Sequence, residues 1–308
     1  MLHLCAVPPS GNTRAPRLLT ENLSRTTRLH VAPATLQGAV VAIISRDTRG
    51  VPLSSEQRLT HFPASPLVCL SWFQEMDAGL VEDTNSAPIW RPFGAPLVIS
   101  GSQTLPNVSW APSTGRGGMI CFTPDVAQSL LGLKLGDIQD RFVSAHEVLD
   151  STWRPLLDAI CQAGDDQATL EVLTRHLTPR WQQIQGRSSS APSLSQLGRH
   201  WAQTVALKAS NWSRTHSPRQ VERRVKAFSG RSLREWQSLV KTEGVFFAAR
   251  QRHERGLPFD WASLALEEGF SDQAHLSRTA KRITGFSPSE FAQRFVDDES
   301  FWLYRLWV

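Results

Sequence analysis

Residues Gly269–Phe291 read GFSDQAHLSRTAKRITGFSPSEF, and the fold of the carboxy-terminal half turns on them. Leu276, Ala280 (with Thr279) and Ile283 fall at the spacing that lines one face of a helix. Gly285 supplies a left-handed stop, and Ser287-Pro288-Ser289-Glu290 opens a new helix as a capping box. Just upstream, Trp261–Phe270 reads as a short helix with Ala265 four residues before Gly269. A helix-turn-helix needs that pair: a small residue where the helices cross, and glycine where the turn bends. The helix after the turn carries Arg278 and its basic neighbours off the apolar stripe, as a groove-reading helix does.

The same pattern occurs 55 residues earlier. Arg223, Lys226, Gly230, Ser232 and Glu235 fall on Arg278, Lys281, Gly285, Ser287 and Glu290. Val221, Phe228 and Trp236 fall on Leu276, Ile283 and Phe291. Ser217-Pro218-Arg219-Gln220 opens this copy with a capping Ser, Pro at the first helical position and Gln at N3. Each copy reads as one supersecondary unit. Two positions differ: Ser210 and Arg214 stand where the second copy has Ala265 and Gly269. Arg at a position that favours Gly predicts a different turn in the first copy.

Charge follows the same division. Residues 1–186 carry 14 Lys+Arg against 16 Asp+Glu, and residues 187–308 carry 19 against 12. Ser217–Arg234 alone holds six bases and one acid. A basic half beside a faintly acidic one points to a polyanion-binding module joined to another domain. No run approaches the ~18 apolar residues of a membrane span. The start, MLHLCAVPPSGNTRAPR, lacks the basic n-region of a secretory signal. Four cysteines without a CxxC argue against a zinc ribbon or a disulfide scaffold. These features predict a cytoplasmic chain of about two domains.

The first half has another texture. Short apolar runs at Val40–Ile44, Leu67–Phe73, Leu97–Ser100, Val108–Trp110 and Met119–Phe122 are candidate strands of a small sandwich or barrel. Pro63, Pro66, Pro88, Pro92, Pro96 and Gly115–Gly118 read as loop punctuation between them. Val126–Leu133, Trp153–Cys161 and Leu170–Leu177 read as helices that pack on the barrel or form a dimer contact. The stretch 185–193, QGRSSSAPS, is small, polar and proline-bearing, as an interdomain linker is. The predicted class is therefore α+β with two domains. The division is 1–186 for sensing or dimerisation, 187–200 for linker and entry helix, 201–296 for DNA binding, and 297–308 as an aromatic tail.

Gly269–Phe291 resembles the second helix-turn-helix signature of the AraC/XylS family of transcription regulators. Ser217–Trp236 resembles the first, with the Arg234–Arg255 segment as the helix joining the two units. The resemblance covers about Ala202–Phe295, and Leu53–Ala64 also resembles the sensor domain of a subgroup of these regulators. It implies that one helix of each unit enters successive major-groove turns of double-stranded promoter DNA. By position, the base-edge candidates are Arg219, Glu222 and Arg223 in the first unit. Those of the second are Gln273, Ala274, Ser277 and Arg278. Arg suits guanine, Gln adenine, Glu cytosine, and Ala the thymine methyl. Arg224, Lys226, Lys281 and Arg282 are placed for phosphates, and Ser217, Ser271 and Ser287 for phosphate contact at helix starts. The resemblance further implies activation through RNA polymerase, and the first domain is expected either to sense a small-molecule effector or to mediate homodimerisation without one.

Trp72, Trp90 and Trp110 line a ligand pocket or form barrel core. The tail Phe301–Trp307 meets a partner or packs back onto the chain. His275 touches DNA or has a structural partner. A catalytic first domain with a helical targeting domain is the rival reading, although HExxH, GxSxG, GxGxxG after a strand and the P-loop are all missing. The nine histidines form no close metal-ligand pair, so no metal or cofactor is expected.

Overall fold

The computed structural model describes residues 7–18, 26–184, 197–256 and 260–307. Among the described residues, ten strands make two antiparallel sheets that face each other. The larger has the order β1-β2-β9-β4-β7-β10 and the smaller β3-β8-β5-β6. The larger comprises β1 (Thr27–His30), β2 (Ala42–Asp47), β4 (Val68–Gln74), β7 (Leu97–Ser100), β9 (Arg116–Phe122) and β10 (Phe142–Ser144). The smaller comprises β3 (Leu59–Phe62), β5 (Gly79–Asp83), β6 (Pro88–Pro92) and β8 (Asn107–Trp110). All five strand runs read from the sequence are present. The other five (β1, β3, β5, β6, β10) emerge only from their pairing.

Two readings of punctuation are corrected. Pro88 and Pro92 are the ends of β6, which is an edge strand, where a missing N–H costs the ladder nothing. Gly117 and Gly118 lie inside β9. The Trp72 indole lies directly over that backbone, so that a Cβ on Gly118 would come within 2.3 Å of it.

The larger sheet is apolar on both faces. Val68, Leu70, Trp72, Ile99 and Ile120 point to one side, beneath helices α1 (Pro124–Leu131), α4 (Arg154–Gln162) and α5 (Asp166–Ile184). Leu130, Leu156, Ile160, Leu173 and Trp181 complete this core. The predicted helices therefore pack on the barrel. Short helices α2 (Leu135–Ile138) and α3 (Ala145–Val148) flank β10. The opposite face carries Ala42, Ile44, Cys69 and Cys121 toward the smaller sheet and the end of the chain.

Among the described residues, the second half is built of helices. Its elements are α6 (Leu197–Ser213), α7 (Pro218–Ser229), α8 (Leu233–Glu254), α9 (Trp261–Glu267), α10 (Gln273–Thr284), α11 (Pro288–Asp297) and α12 (Trp302–Trp307). The predicted linker falls within residues outside the described ones, and helix α6 already runs at Leu197. Among the described residues, no helix is long and apolar enough to cross a membrane.

The tail packs back. Phe301, Trp302, Leu303 and Tyr304 are buried, and Trp302 Nε1 donates to Thr60 Oγ1 at 2.9 Å. A buried ionic knot secures it: Arg46 meets Glu299 at 3.0 Å and Arg294 meets Asp298 at 3.0 Å. The amino-terminal arm closes over the same place, with Glu299 N donating to Ala15 O at 2.8 Å and Arg294 Nη2 to Asn12 O at 2.6 Å.

Candidate functional site

The second unit is a helix-turn-helix built as its residues require. Asp260 caps α9 by accepting from Ala262 N and Ser263 N. At the turn Gly269 is left-handed (φ 78°). Gly269 N donates to Leu266 O at 3.0 Å and Phe270 N to Ala265 O at 2.8 Å. This double closure is a Schellman stop, whose apolar clasp is supplied by Phe270 against the helix. Ala265, Phe270 and Leu276 share one core with Val245 of α8, so the small residue does sit where the helices cross.

The first unit turns differently. No residue near Arg214 has a positive φ. The chain leaves α6 by tightened contacts, Arg214 N to Asn211 O and Thr215 N to Trp212 O, which need no left-handed residue. Ser210 is exposed, whereas Ala209 packs into the core with Trp201, Val205 and Trp236. The 55-residue correspondence therefore holds for the second helix of each unit and slips by one residue in the first.

In α7 and α10 the repeat extends to individual hydrogen bonds. Both helices stop at left-handed glycines, Gly230 (φ 79°) and Gly285 (φ 90°), whose N–H groups donate to Lys226 O and Lys281 O. Ser229 Oγ sits between Val225 O and Arg231 O at 2.8 and 2.9 Å. Thr284 Oγ1 sits between Ala280 O and Phe286 O at 2.9 and 3.2 Å. Glu235 N then donates to Ser232 Oγ, and Glu290 N to Ser287 Oγ, each at 3.3 Å. Ala280 is completely buried, so a small side chain suffices there.

The polar faces point outward. Arg219, Glu222 and Arg223 on α7, and Gln273, Ala274 and Arg278 on α10, are all exposed, with Ser277 half-buried. Arg224, Lys226, Lys281 and Arg282 are exposed as well. Lys226 pairs with Glu222 at 3.0 Å. Ser217 N donates to Gln220 Oε1 at 2.9 Å, as the capping pattern predicts. Ser271 does not cap its helix: the cap of α10 is Asp272, whose carboxylate accepts from His275 N at 2.6 Å. That carboxylate already fills the helix start that a phosphate would use. His275 has structural partners, with its ring edge-on to Phe270 at 5.2 Å and Nδ1 3.1 Å from Ser271 Oγ.

The two polar-faced helices are each held near the carboxyl end by a residue of the β-rich half. Gln139, just after α2, donates through Nε2 to Gly230 O at 3.2 Å. Ala64, just after β3, donates through N to Ile283 O at 2.8 Å. The β-rich half thus grips the carboxyl end of both helices. Nothing in the local pattern signals these long-range contacts.

Behind the second grip lies a cavity of about 230 Å³ between the two sheets. Its wall is mainly apolar, with Phe62, Val98 and Met119 from the sheets, Phe93 from the loop after β6, Phe246 from α8 and Leu303 from α12. Ile283 and Thr284 of α10 also border it. Three polar groups bordering it have buried atoms without hydrogen-bond partners, Arg46 Nε, Arg58 Nε and the Tyr304 hydroxyl. Burial holds Arg46 down to about 10 and pushes the Tyr304 phenol well above its usual value. The tryptophans divide: Trp72 belongs to the helix-covered core, while Trp110 borders the cavity and stacks edge-on with Trp90. The stretch Leu53–Ala64 supplies Leu53, Arg58, Thr60, Phe62 and Ala64 to this wall.

One cluster has the composition of a hydrolytic triad and the wrong geometry. Ser45 Oγ donates to Asp166 Oδ2 at 2.9 Å, and His30 Nε2 lies 3.0 Å from Ser45 Oγ and 3.3 Å from the same Asp166 oxygen. A relay needs the carboxylate on the other ring nitrogen. Ser45 is buried, and Asp166 also accepts from Arg116 at 3.0 Å. Burial raises the Asp166 carboxyl, but the bonds from His30, Arg116 and Ser45 outweigh it and hold the group well below the usual range. It ties α5 to β1, β2 and β9. Among the described residues, no three His, Cys, Asp or Glu side chains are grouped to hold a metal ion.

No family model matches the chain, and no curated protein matches it. Solved structures of ToxT from Vibrio cholerae are similar to it in part. ToxT in a P21 crystal form is 11% identical, covers 86% of this chain and 97% of its own, and superposes with a TM-score of 0.35. ToxT of strain O395 is 10% identical, with 87% and 97% covered and a TM-score of 0.34. The O395 protein bound to (E)-4-(8-methylnaphthalen-1-yl)but-3-enoic acid is 11% identical, with 86% and 98% covered and a TM-score of 0.35. A likeness this loose carries no argument about what the chain does, which rests on the geometry above.

Proposed function

We propose that the chain is a sequence-specific DNA-binding transcription regulator of the AraC/XylS type, acting in the cytoplasm, whose cavity takes a small apolar effector. The duplication carries this reading. Two helices 55 residues apart share their stop and the hydroxyl lock behind it, and leave their polar faces bare. A solvated surface has no need to repeat its internal bonding; two readers of successive groove turns do. In this reading Arg219, Glu222, Arg223, Gln273, Ala274, Ser277 and Arg278 meet base edges. Arg224, Lys226, Lys281 and Arg282 meet phosphates, which set affinity rather than sequence.

The grips at Gly230 and Ile283 give the effector a route to DNA. A ligand that alters the cavity wall alters the seat of Ile283, and so biases how α10 is presented. The cavity is slightly below the ~300–1,000 Å³ of sites for drug-sized ligands, which favours a compact effector. RNA polymerase and a second copy of the chain are the further partners in this proposal.

The test is selection of genomic fragments by the full-length chain, followed by sequencing. Enrichment of two half-elements about one helical turn apart is the expected outcome. A single enriched element would confine base reading to one unit. Salt-sensitive binding without any enriched sequence would overturn the proposal.

A further inference from the structure

Cys69 on β4 and Cys121 on β9 are direct cross-strand partners in the larger sheet. Their sulfurs are 3.4 Å apart, and both side chains border the cavity. We propose that this pair is an oxidisable dithiol, which a peroxide converts into a reversible disulfide in the cavity wall.

The backbone is already in place for that bond. Residues directly opposite in an antiparallel pair have Cα atoms ~4.5 or ~5.5 Å apart, and both spacings lie in the ~4.4–6.8 Å range of disulfides. Closing the sulfurs to ~2.05 Å needs side-chain rotation alone. The strand period makes the site specific. Val68, Leu70 and Trp72 are covered by helices, whereas Cys69 and Cys121 fall on the other face.

The two thiols differ in access. Cys69 is half-buried and Cys121 is buried. The contact with Cys69, with burial added, pushes the Cys121 thiol well up, so Cys121 stays protonated and serves as the second partner. In the first step the Cys69 sulfur attacks a peroxide oxygen. The O–O bond breaks, Cys69 becomes a sulfenic acid, and the peroxide leaves as water or an alcohol. In the second step the Cys121 sulfur attacks the sulfenic sulfur, and the S–O bond breaks as the S–S bond forms. The hydroxyl leaves with the Cys121 proton as water. Two electrons pass from two thiols to one peroxide. The new bond ties β4 to β9 directly beneath Trp302 and Leu303, which share a core with Cys121.

Cys161, exposed on α4, is the internal control. The full-length chain is reduced, desalted, treated with a few-fold excess of hydrogen peroxide, alkylated under denaturing conditions, digested and analysed by mass spectrometry. The expected product is a Cys69–Cys121 linked peptide pair, two hydrogens lighter than its reduced parts, abolished by dithiothreitol and retained in Cys161→Ser. In Cys121→Ala, dimedone is expected to trap Cys69 as the sulfenic acid. The wild-type result alone decides the matter if that variant fails to fold. Full alkylation of Cys69 and Cys121 after peroxide has consumed Cys161 would overturn the proposal. So would a disulfide that joins Cys69 to any other cysteine.

Discussion

Single residues divide here by what already holds them. Arg278 is exposed on α10 and Lys281 is exposed one turn further on. The first sits at a base-edge position and the second at a phosphate position, so their loss has different signatures. Arg278→Ala is expected to cost ~1–3 kcal/mol at the selected site and much less on random DNA. Equal losses on both DNAs in a binding titration would remove the base-reading role. Lys281→Ala is expected to weaken both DNAs and to reduce the slope of log affinity against log salt by about one. An unchanged slope would remove the phosphate contact. Glu222 and Lys226 are already paired with each other across a turn of α7. An exposed pair of this kind is held weakly, so either partner is free to turn to DNA.

At the level of elements, the two turns are the informative contrast. Gly269 is left-handed at φ 78°, and the nearest atom to a Cβ there is Lys241 Nζ, the far end of a long flexible side chain, at 3.3 Å. The cost of Gly269→Ala is therefore backbone strain rather than collision, roughly 1–2 kcal/mol. It should appear as a lower urea midpoint with an unchanged slope. Arg214→Gly, at the matching position, is expected to bring no gain, because that turn contains no left-handed residue. A stabilised Arg214→Gly variant would show that the first turn is strained after all. The stripe and stop of α7 and α10, and the cap of α7, were legible because each depends on residues within four or five positions, whereas the cap of α10 is Asp272 in place of Ser271. The one-residue slip between Ser210 and Ala209 was not, since it depends on which side of α6 meets Trp236.

At the scale of the molecule, the join between the halves carries a titratable group. His61 of β3 packs between Phe286 and Phe301, with ring centroids 5.2 and 5.1 Å away. Its Nε2 is buried without a partner. Burial, reinforced by Arg294 and opposed by Asp298, holds it down to about 4, below the ~6.5 of a free imidazole. Between those values the unfolded chain binds the extra proton. Stability is therefore full above about pH 6.5 and falls as the pH drops toward 4. At ~1.36 kcal/mol for each pH unit, the loss from pH 7 to 4 is on the order of 3 kcal/mol. Urea melts across that interval should show it in the wild type and a flatter limb in His61→Phe. The same dependence in both proteins would exclude His61 as the cause.

Local chemistry was enough to read the helical half: its 55-residue repeat, its caps and stops, and the polar positions it leaves bare. Five strands and the three helices that cover them were also legible, four of the strands from apolar runs and β8 from the alternation of Val108 and Trp110. Tertiary structure alone decided the rest. Pro88 and Pro92 became strand ends because β6 lies at an edge, and Gly118 a strand residue because Trp72 lies on it. The grips of Gln139 on Gly230 and of Ala64 on Ile283 join residues 91 and 219 positions apart. The cavity, and the meeting of Cys69 with Cys121 across 52 residues, likewise arise only once the two sheets face each other. Periodicity reports what one element buries, whereas the identity of its partner across the chain is settled by how the whole packs.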